Sequence, residues 1–174
     1  MGKISFKNFD EFIGSDACKR VDENAESMSN IVSMVVNPYC DELDNYIRFI
    51  KDCLHGGEQV PTNDELDDFC LNLSTLLYFA SSSCEQLGIK DDISNAVYKD
   101  VYHRTRNAVE GGTVADKNSV AEIQSQAEHL VNICYSRAYR LMRSKIEAGQ
   151  ELLNSVKKVL SRRMSEFELT RIQR

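Results

Sequence analysis

The sequence predicts an all-α protein, an N-terminal helical cluster packed on one or two long C-terminal helices in a possibly coiled-coil-like arrangement. Three observations carry this expectation. Apolar residues recur at i, i+3 and i+4 in every long run, the spacing of one helical face. Breakers are scarce, with 8 Gly and 2 Pro in 174 residues. Beyond Thr113 there is no Pro and only one Gly, Gly149. The length suits one domain, or a small domain with an appended helix, and a hydrophobic content of 42% is enough for a core. The chain divides by charge into an acidic helical region, residues 1–110, and a long basic C-terminal helix or helical hairpin, residues 111–174.

Taken in order, residues 3–13 place Ile4, Phe6, Phe9, Phe12 and Ile13 in an arm or short helix. Met28, Ile31, Val32, Val35 and Val36 form one helical face that should end before Pro38, which disfavours helix at the residue before it. Leu43, Tyr46, Ile47, Ile50 and Leu54 form a second face, stopped at His55-Gly56-Gly57. Residues 56–63 read as a connector in which Thr62 or Asn63 caps the next helix. That helix runs through Leu66, Phe69, Cys70, Leu73, Leu77, Ala80, Cys84 and Leu87 to a stop at Gly88. A further helix opens at Asp91-Asp92 and closes at Gly111-Gly112. Thr113 with Asp116 resembles a capping box at the head of a helix reaching about residue 167, some 80 Å at ~1.5 Å per residue. Such a rod is too long for this domain unless it breaks near Gly149 or projects to pair with a partner chain. Met142, Ile146, Gly149, Leu153, Val156, Leu160, Arg163 and Phe167 recur in heptad steps. Met142, Ile146, Leu153, Val156, Leu160 and Phe167 are therefore the expected oligomer seam.

Site chemistry is sparse. The six cysteines, Cys18, Cys40, Cys53, Cys70, Cys84 and Cys134, form no C-x-x-C pair and no zinc spacing, so they read as free thiols. The carboxylate clusters Asp41/Glu42/Asp44, Asp64/Glu65/Asp67/Asp68 and Asp91/Asp92 each fall where a helix should begin. There the macrodipole favours negative charge by ~0.3–1 kcal/mol per site. None has the spacing of a calcium loop. His55, His103 and His129 form no metal-binding pair, and no phosphate loop or nucleophile elbow is present. No catalytic, cofactor-binding or metal-ligating residue is assigned, no cofactor is expected, and the protein is not expected to be an enzyme. No apolar window is long enough to span a membrane, and the N-terminus lacks a signal core, so a cytoplasmic location and no membrane partner are expected.

The charge is uneven. Residues 1–100 hold 19 Asp and Glu against 8 Lys and Arg, and residues 101–174 hold 8 against 13. At ~100° per residue, Arg137, Arg140, Lys158 and Arg162 fall within ~60° of one another on a helix, opposite the heptad seam. Arg143, Lys145, Lys157 and Arg163 flank them. A linear cationic array is what phosphate neutralisation requires, and Tyr135 and Tyr139 at its upper end could stack on bases. The competing reading is a solvated bundle face with both tyrosines in the core.

The run Gly112-Thr113-Val114-Ala115-Asp116-Lys117 follows a Tyr- and Ala-containing helix, Tyr98 to Val109. It precedes a long helix with Ile146-x-x-Gly149-x-x-Leu152 and a close at Arg163 and Glu166. Over residues 95–168 this layout resembles the UvsY-type recombination mediators, small helical bacteriophage proteins. The resemblance implies a ring-forming, non-enzymatic protein that binds single-stranded DNA and a recombination protein partner. It would carry those contacts on Arg137, Arg140, Arg143, Lys145, Lys157, Lys158, Arg162 and Arg163, and act in the cytoplasm of an infected host cell. The alternative is a phage interaction module without DNA affinity. That could be a virion or assembly component, or an acidic inhibitor of a host nucleic-acid-binding defence enzyme.

Overall fold

The computed structural model describes residues 13–55 and 60–172. The expected arm at residues 3–12 and the stop at Gly56-Gly57 lie outside them. The described chain is all-α, four helices that pack on one another with no strand among the described residues. They are α1 (Asp16–His55), α2 (Asn63–Ala108), α3 (Val114–Gln124) and α4 (Gln126–Ile172). No helix is long and apolar enough to cross a membrane.

Two expected stops are absent, for physical reasons. Pro38 lies inside α1 rather than after it. It removes one intrahelical hydrogen bond, at a cost of ~3 kcal/mol. But Pro38 and Met34, whose carbonyl loses its donor, both lie on the exposed face of α1, where an unpaired carbonyl costs less than it would in the core. The apolar stripe meanwhile stays in phase across the proline, burying Val32, Val36 and Cys40 and then Leu43 and Ile50. At ~1.5–3 kcal/mol per buried side chain, the stripe outweighs the defect. Asp41, Glu42 and Asp44 consequently sit in mid-helix, not in a first turn.

Gly88 likewise lies inside α2. A Cβ there would stand 3.3 Å from the ring of Tyr139, so the glycine makes room for an aromatic side chain of α4. Asp91 and Asp92 are therefore also mid-helix. The hydroxyls of the Ser-rich turn before Gly88 are satisfied by the i−4 carbonyls, Ser81 donating to Leu77 at 2.8 Å and Ser83 to Phe79 at 3.1 Å, so they do not compete for the backbone elsewhere.

The caps behave as expected. Gly111 and Gly112 both have φ of +74°, a region that suits glycine. Two reciprocal capping boxes start α2 and α3. Thr62 donates its N–H (2.6 Å) and hydroxyl (2.8 Å) to Glu65, whose N–H returns to Thr62 Oγ1 at 3.3 Å. Thr113 and Asp116 repeat the pattern. Donation by the threonine backbone N–H, then by its hydroxyl, holds both carboxyls below their usual range.

The long C-terminal rod breaks at Ser125, not at Gly149. Hydrogen bonds of helical type still cross the break, Ser125 N–H to Ala121 O and His129 N–H to Ser125 O, both at 3.0 Å. The buried Ser125 hydroxyl also donates to Ala121 O at 2.7 Å, the kind of back-bonding that bends helices. Residues 114–172 thus run as two helices joined through the single residue Ser125, and α4 alone spans ~70 Å at ~1.5 Å per residue.

Cross-contacts fix the topology. Met28 meets Cys134 and Asp44 meets Lys145, so α1 and α4 run parallel. Gly88 meets Tyr139 and Ser94 meets Asn132, so α2 runs antiparallel to α4. The contact between α2 and α4 is the most extensive. The core follows it through Leu66, Leu73, Leu87 and Met142, all at 0% exposure. A Cβ at Gly149 would fall 2.8 Å from Leu77 Cδ2 and 3.7 Å from Ile47 Cδ1, so all three long helices converge there.

Three substitutions have expected outcomes. Gly149→Leu should lower the unfolding free energy by ~1–3 kcal/mol through overpacking, measured by urea unfolding. Gly149→Ala should be near neutral, because ~1 kcal/mol of helix propensity offsets a small shift of the Leu77 methyl. Thr62→Ala should cost ~1 kcal/mol at neutral pH. Glu65 has a lowered folded-state pKa, so its stabilisation is full above the ordinary carboxylate range and is lost as pH falls through the lowered value. Acid unfolding monitored by circular dichroism should show that loss shrink in the variant.

Candidate nucleic-acid interface

The eight basic residues proposed for phosphate contact all lie on α4, but the fold sorts them into distinct environments. Lys145 is half-buried and pairs with Asp44 of α1. Arg163 is half-buried and donates to the Pro61 carbonyl, tying α4 to the segment that enters α2. Neither faces solvent as a free cation, and both act as inter-helix ties. Arg143 pairs with Glu147 at 3.1 Å and Arg162 with Glu166 at 3.3 Å. These exposed i, i+4 pairs are screened by solvent and weak, so a phosphate could displace either carboxylate.

Arg137, Arg140, Lys157 and Lys158 are exposed and make no ion pair among the described residues. Arg137 and Arg140 border a groove between α1 and α4 whose floor includes Met28, Val32 and Leu141. Lys157, Lys158 and Arg162 surround a shallow depression with Asn154 and Ser161. Between the two groups Glu147 and Glu151 occupy the same face, exposed. The cationic edge is therefore two patches about 26 Å apart, taking 17 residues from Arg140 to Lys157 at ~1.5 Å each, rather than an unbroken strip.

The seam is used inside the chain. Met142, Ile146, Leu153, Val156 and Leu160 are buried in the core formed with α1 and α2, while Phe167 is 70% exposed. The first five cannot also pair subunits, because α1 and α2 already cover them. Tyr135 and Tyr139 are also not on the cationic edge. Tyr139 packs over Gly88 and Tyr135 lines an apolar groove toward α2, so neither can stack on a base held along Arg137 and Arg140.

Sequence reasoning missed an aromatic set at the far end of α2. His129 stacks on Tyr98 with centroids 4.6 Å apart and planes at 17°, and Tyr102 and His103 continue the series. Nothing in the local sequence signals it, since His129 and Tyr98 are brought together only by the antiparallel register of α2 and α4. The side chain of His55 lies outside the described residues.

All six cysteines are free, and burial pushes the Cys40 thiol up to about 11. Burial likewise raises Cys70, Cys84 and Cys134. Among the described residues no three His, Cys, Asp or Glu side chains are grouped to hold a metal ion.

No protein-family model, curated protein or solved structure matches this chain.

Lys145→Gln should lower stability by about 1 kcal/mol or less, the usual range for a partly solvated pair, and leave affinity for an oligonucleotide unchanged. Parallel thermal melts and anisotropy titrations would check both halves of that assignment.

Proposed function

We infer that this protein is a non-enzymatic nucleic-acid-binding accessory factor that lays single-stranded DNA along the exposed edge of α4. The observation that supports the reading is the presence of Arg137, Arg140, Lys157 and Lys158 on one continuous helix, solvent-exposed and without an ion pair among the described residues. Arg162 and Arg143 add to the edge once their carboxylates yield. Lys and Arg displace counterions from the phosphates, so binding is electrostatic and salt-sensitive. Glu147 and Glu151 repel the strand between the patches, so contact is made at two points. The acidic surfaces of α1 and α2 face a protein partner instead, which the likeness of residues 95–168 to UvsY-type mediators suggests is a recombination protein in a host-cell cytoplasm. Because five seam residues are internal, any self-assembly must use other surfaces.

A second reading keeps the fold and drops the DNA. Large apolar side chains stand exposed on the acidic helices, among them Met34, Leu71, Tyr78 and Phe79. Such surface suits a protein interaction module, either a virion or assembly component or an acidic inhibitor of a nucleic-acid-binding enzyme.

Anisotropy titration of a labelled oligo-dT between about 50 mM and about 200 mM salt separates the two. Four phosphate contacts predict a log–log slope near −3, at ~0.7 per contact for single strands. Arg137→Ala/Arg140→Ala and Lys157→Ala/Lys158→Ala should each flatten it by about 1.4. Absence of binding at the lower salt would reject the DNA reading in favour of the protein module.

A further inference from the structure

The aromatic set at the far end of α2 takes no part in the hydrophobic core. Tyr98 is half-buried and His129 is exposed, and their rings stack with centroids 4.6 Å apart and planes at 17°. The stack is therefore anchored at the tyrosine and open at the imidazole. Tyr102 stands 6.4 Å from Tyr98, and His103 lies edge-on to Tyr102 at 5.5 Å. The register that sets Gly88 against Tyr139 and Ser94 against Asn132 brings Tyr98 level with His129.

This set continues the cationic edge. At ~100° per residue, His129 falls within ~20° of both Arg140 and Lys158 on α4. It precedes Arg140 by ~17 Å at ~1.5 Å per residue, a span of about five phosphates at ~3.4 Å each. Lys99 and Arg106 stand three residues before and four after Tyr102, on the same face of α2. Neither makes an ion pair among the described residues, and Lys99 is exposed. Neighbouring carboxylates are turned elsewhere. Asp100 pairs with Arg104 at 2.9 Å, and Asp91 accepts from Asn132 at 3.5 Å. Glu128 is ~100° from His129 on α4 and lines an apolar groove with Val97 and Val131. Glu122, exposed on α3 about two turns before His129, repels phosphate there, so a strand following this edge ends at the aromatic set.

We propose that an unpaired base of the single strand stacks on the open face of His129, backed by Tyr98, while Lys99 and Arg106 take the adjoining phosphates. Aromatic faces accept any base, because each base has a π-face of its own. The site rests on the DNA reading above and supplies what a row of cations lacks, a contact made only with strands whose bases are unpaired.

The test titrates the full chain with labelled oligo-dT and with an abasic strand of equal length, which keeps the phosphates and lacks the bases. Oligo-dT should bind roughly fivefold tighter or more, the lower end of what stacking one base contributes. Tyr98→Ala/His129→Ala, with helicity checked by circular dichroism, should remove that preference and leave the abasic affinity and the salt slope unchanged. His129→Phe should keep the preference, since a phenyl ring still stacks. In the unsubstituted chain, iododeoxyuridine within the strand should photocrosslink to Tyr98, Tyr102 or His129, mapped by mass spectrometry. Equal affinity for the two strands would overturn the stacking site and leave the phosphate edge standing. Equal losses on both strands in the double variant, loss of the preference in His129→Phe, or crosslinks confined to other residues would overturn it as well. No binding of either strand at about 50 mM salt would remove both the site and the DNA reading.

Discussion

The structure depends on how closely α4 approaches its two neighbours at Gly149. Leu77 Cδ2 of α2 stands where a Cβ at that position would fall, so a methyl is admitted only by a small shift and a larger side chain is not, and Ile47 of α1 stands behind it. This contact fixes the axial register of all three long helices. From it follow the heptad steps that bury Ile146, Leu153 and Val156, the ring of Tyr139 over Gly88, and the orientation of the opposite edge toward solvent. The cationic edge is thus a by-product of core packing. Arg137 and Lys158 face outward because Met142 and Leu160 face in.

Helical class and most apolar faces were legible in the sequence because periodicity reports burial directly. The caps were legible for the same local reason, since Thr62 with Glu65 and Thr113 with Asp116 act within four residues. The errors came where a local signal was overruled at a distance. Pro38 and Gly88 read as stops, but a continuous buried stripe carries α1 through the first, and Tyr139 explains the second. Ser125 gave no breaker signal, because it is neither Gly nor Pro and helical hydrogen bonds still cross it. The seam periodicity of α4 was visible, but periodicity does not say whether the covering helix belongs to the same chain.

The same limit applied to the basic residues. Helical phase placed Arg137, Arg140, Lys158 and Arg162 together, and they are exposed on one helix. Phase alone could not show that Lys145 is consumed by Asp44 or Arg163 by the Pro61 carbonyl, because those partners lie about a hundred positions away. The two ties convert cations into clamps, Lys145 holding α1 and Arg163 holding the entry to α2. What remains for a polyanion is fewer charges in two groups, with acidic residues between them.

The parallel placement of α1 beside α4 has a consequence for how the molecule comes apart. Helices α2 and α4 run antiparallel and share the largest contact, whereas α1 is held by a narrower stripe, the Asp44 tie and the sulfur contact at Met28. The least costly sub-global opening therefore detaches α1 as a unit and leaves the hairpin of α2 and α4 standing. The amides of α1 should therefore exchange as the lower-energy cooperative group, and those of Leu73, Leu77, Met142 and Ile146 should follow the global transition.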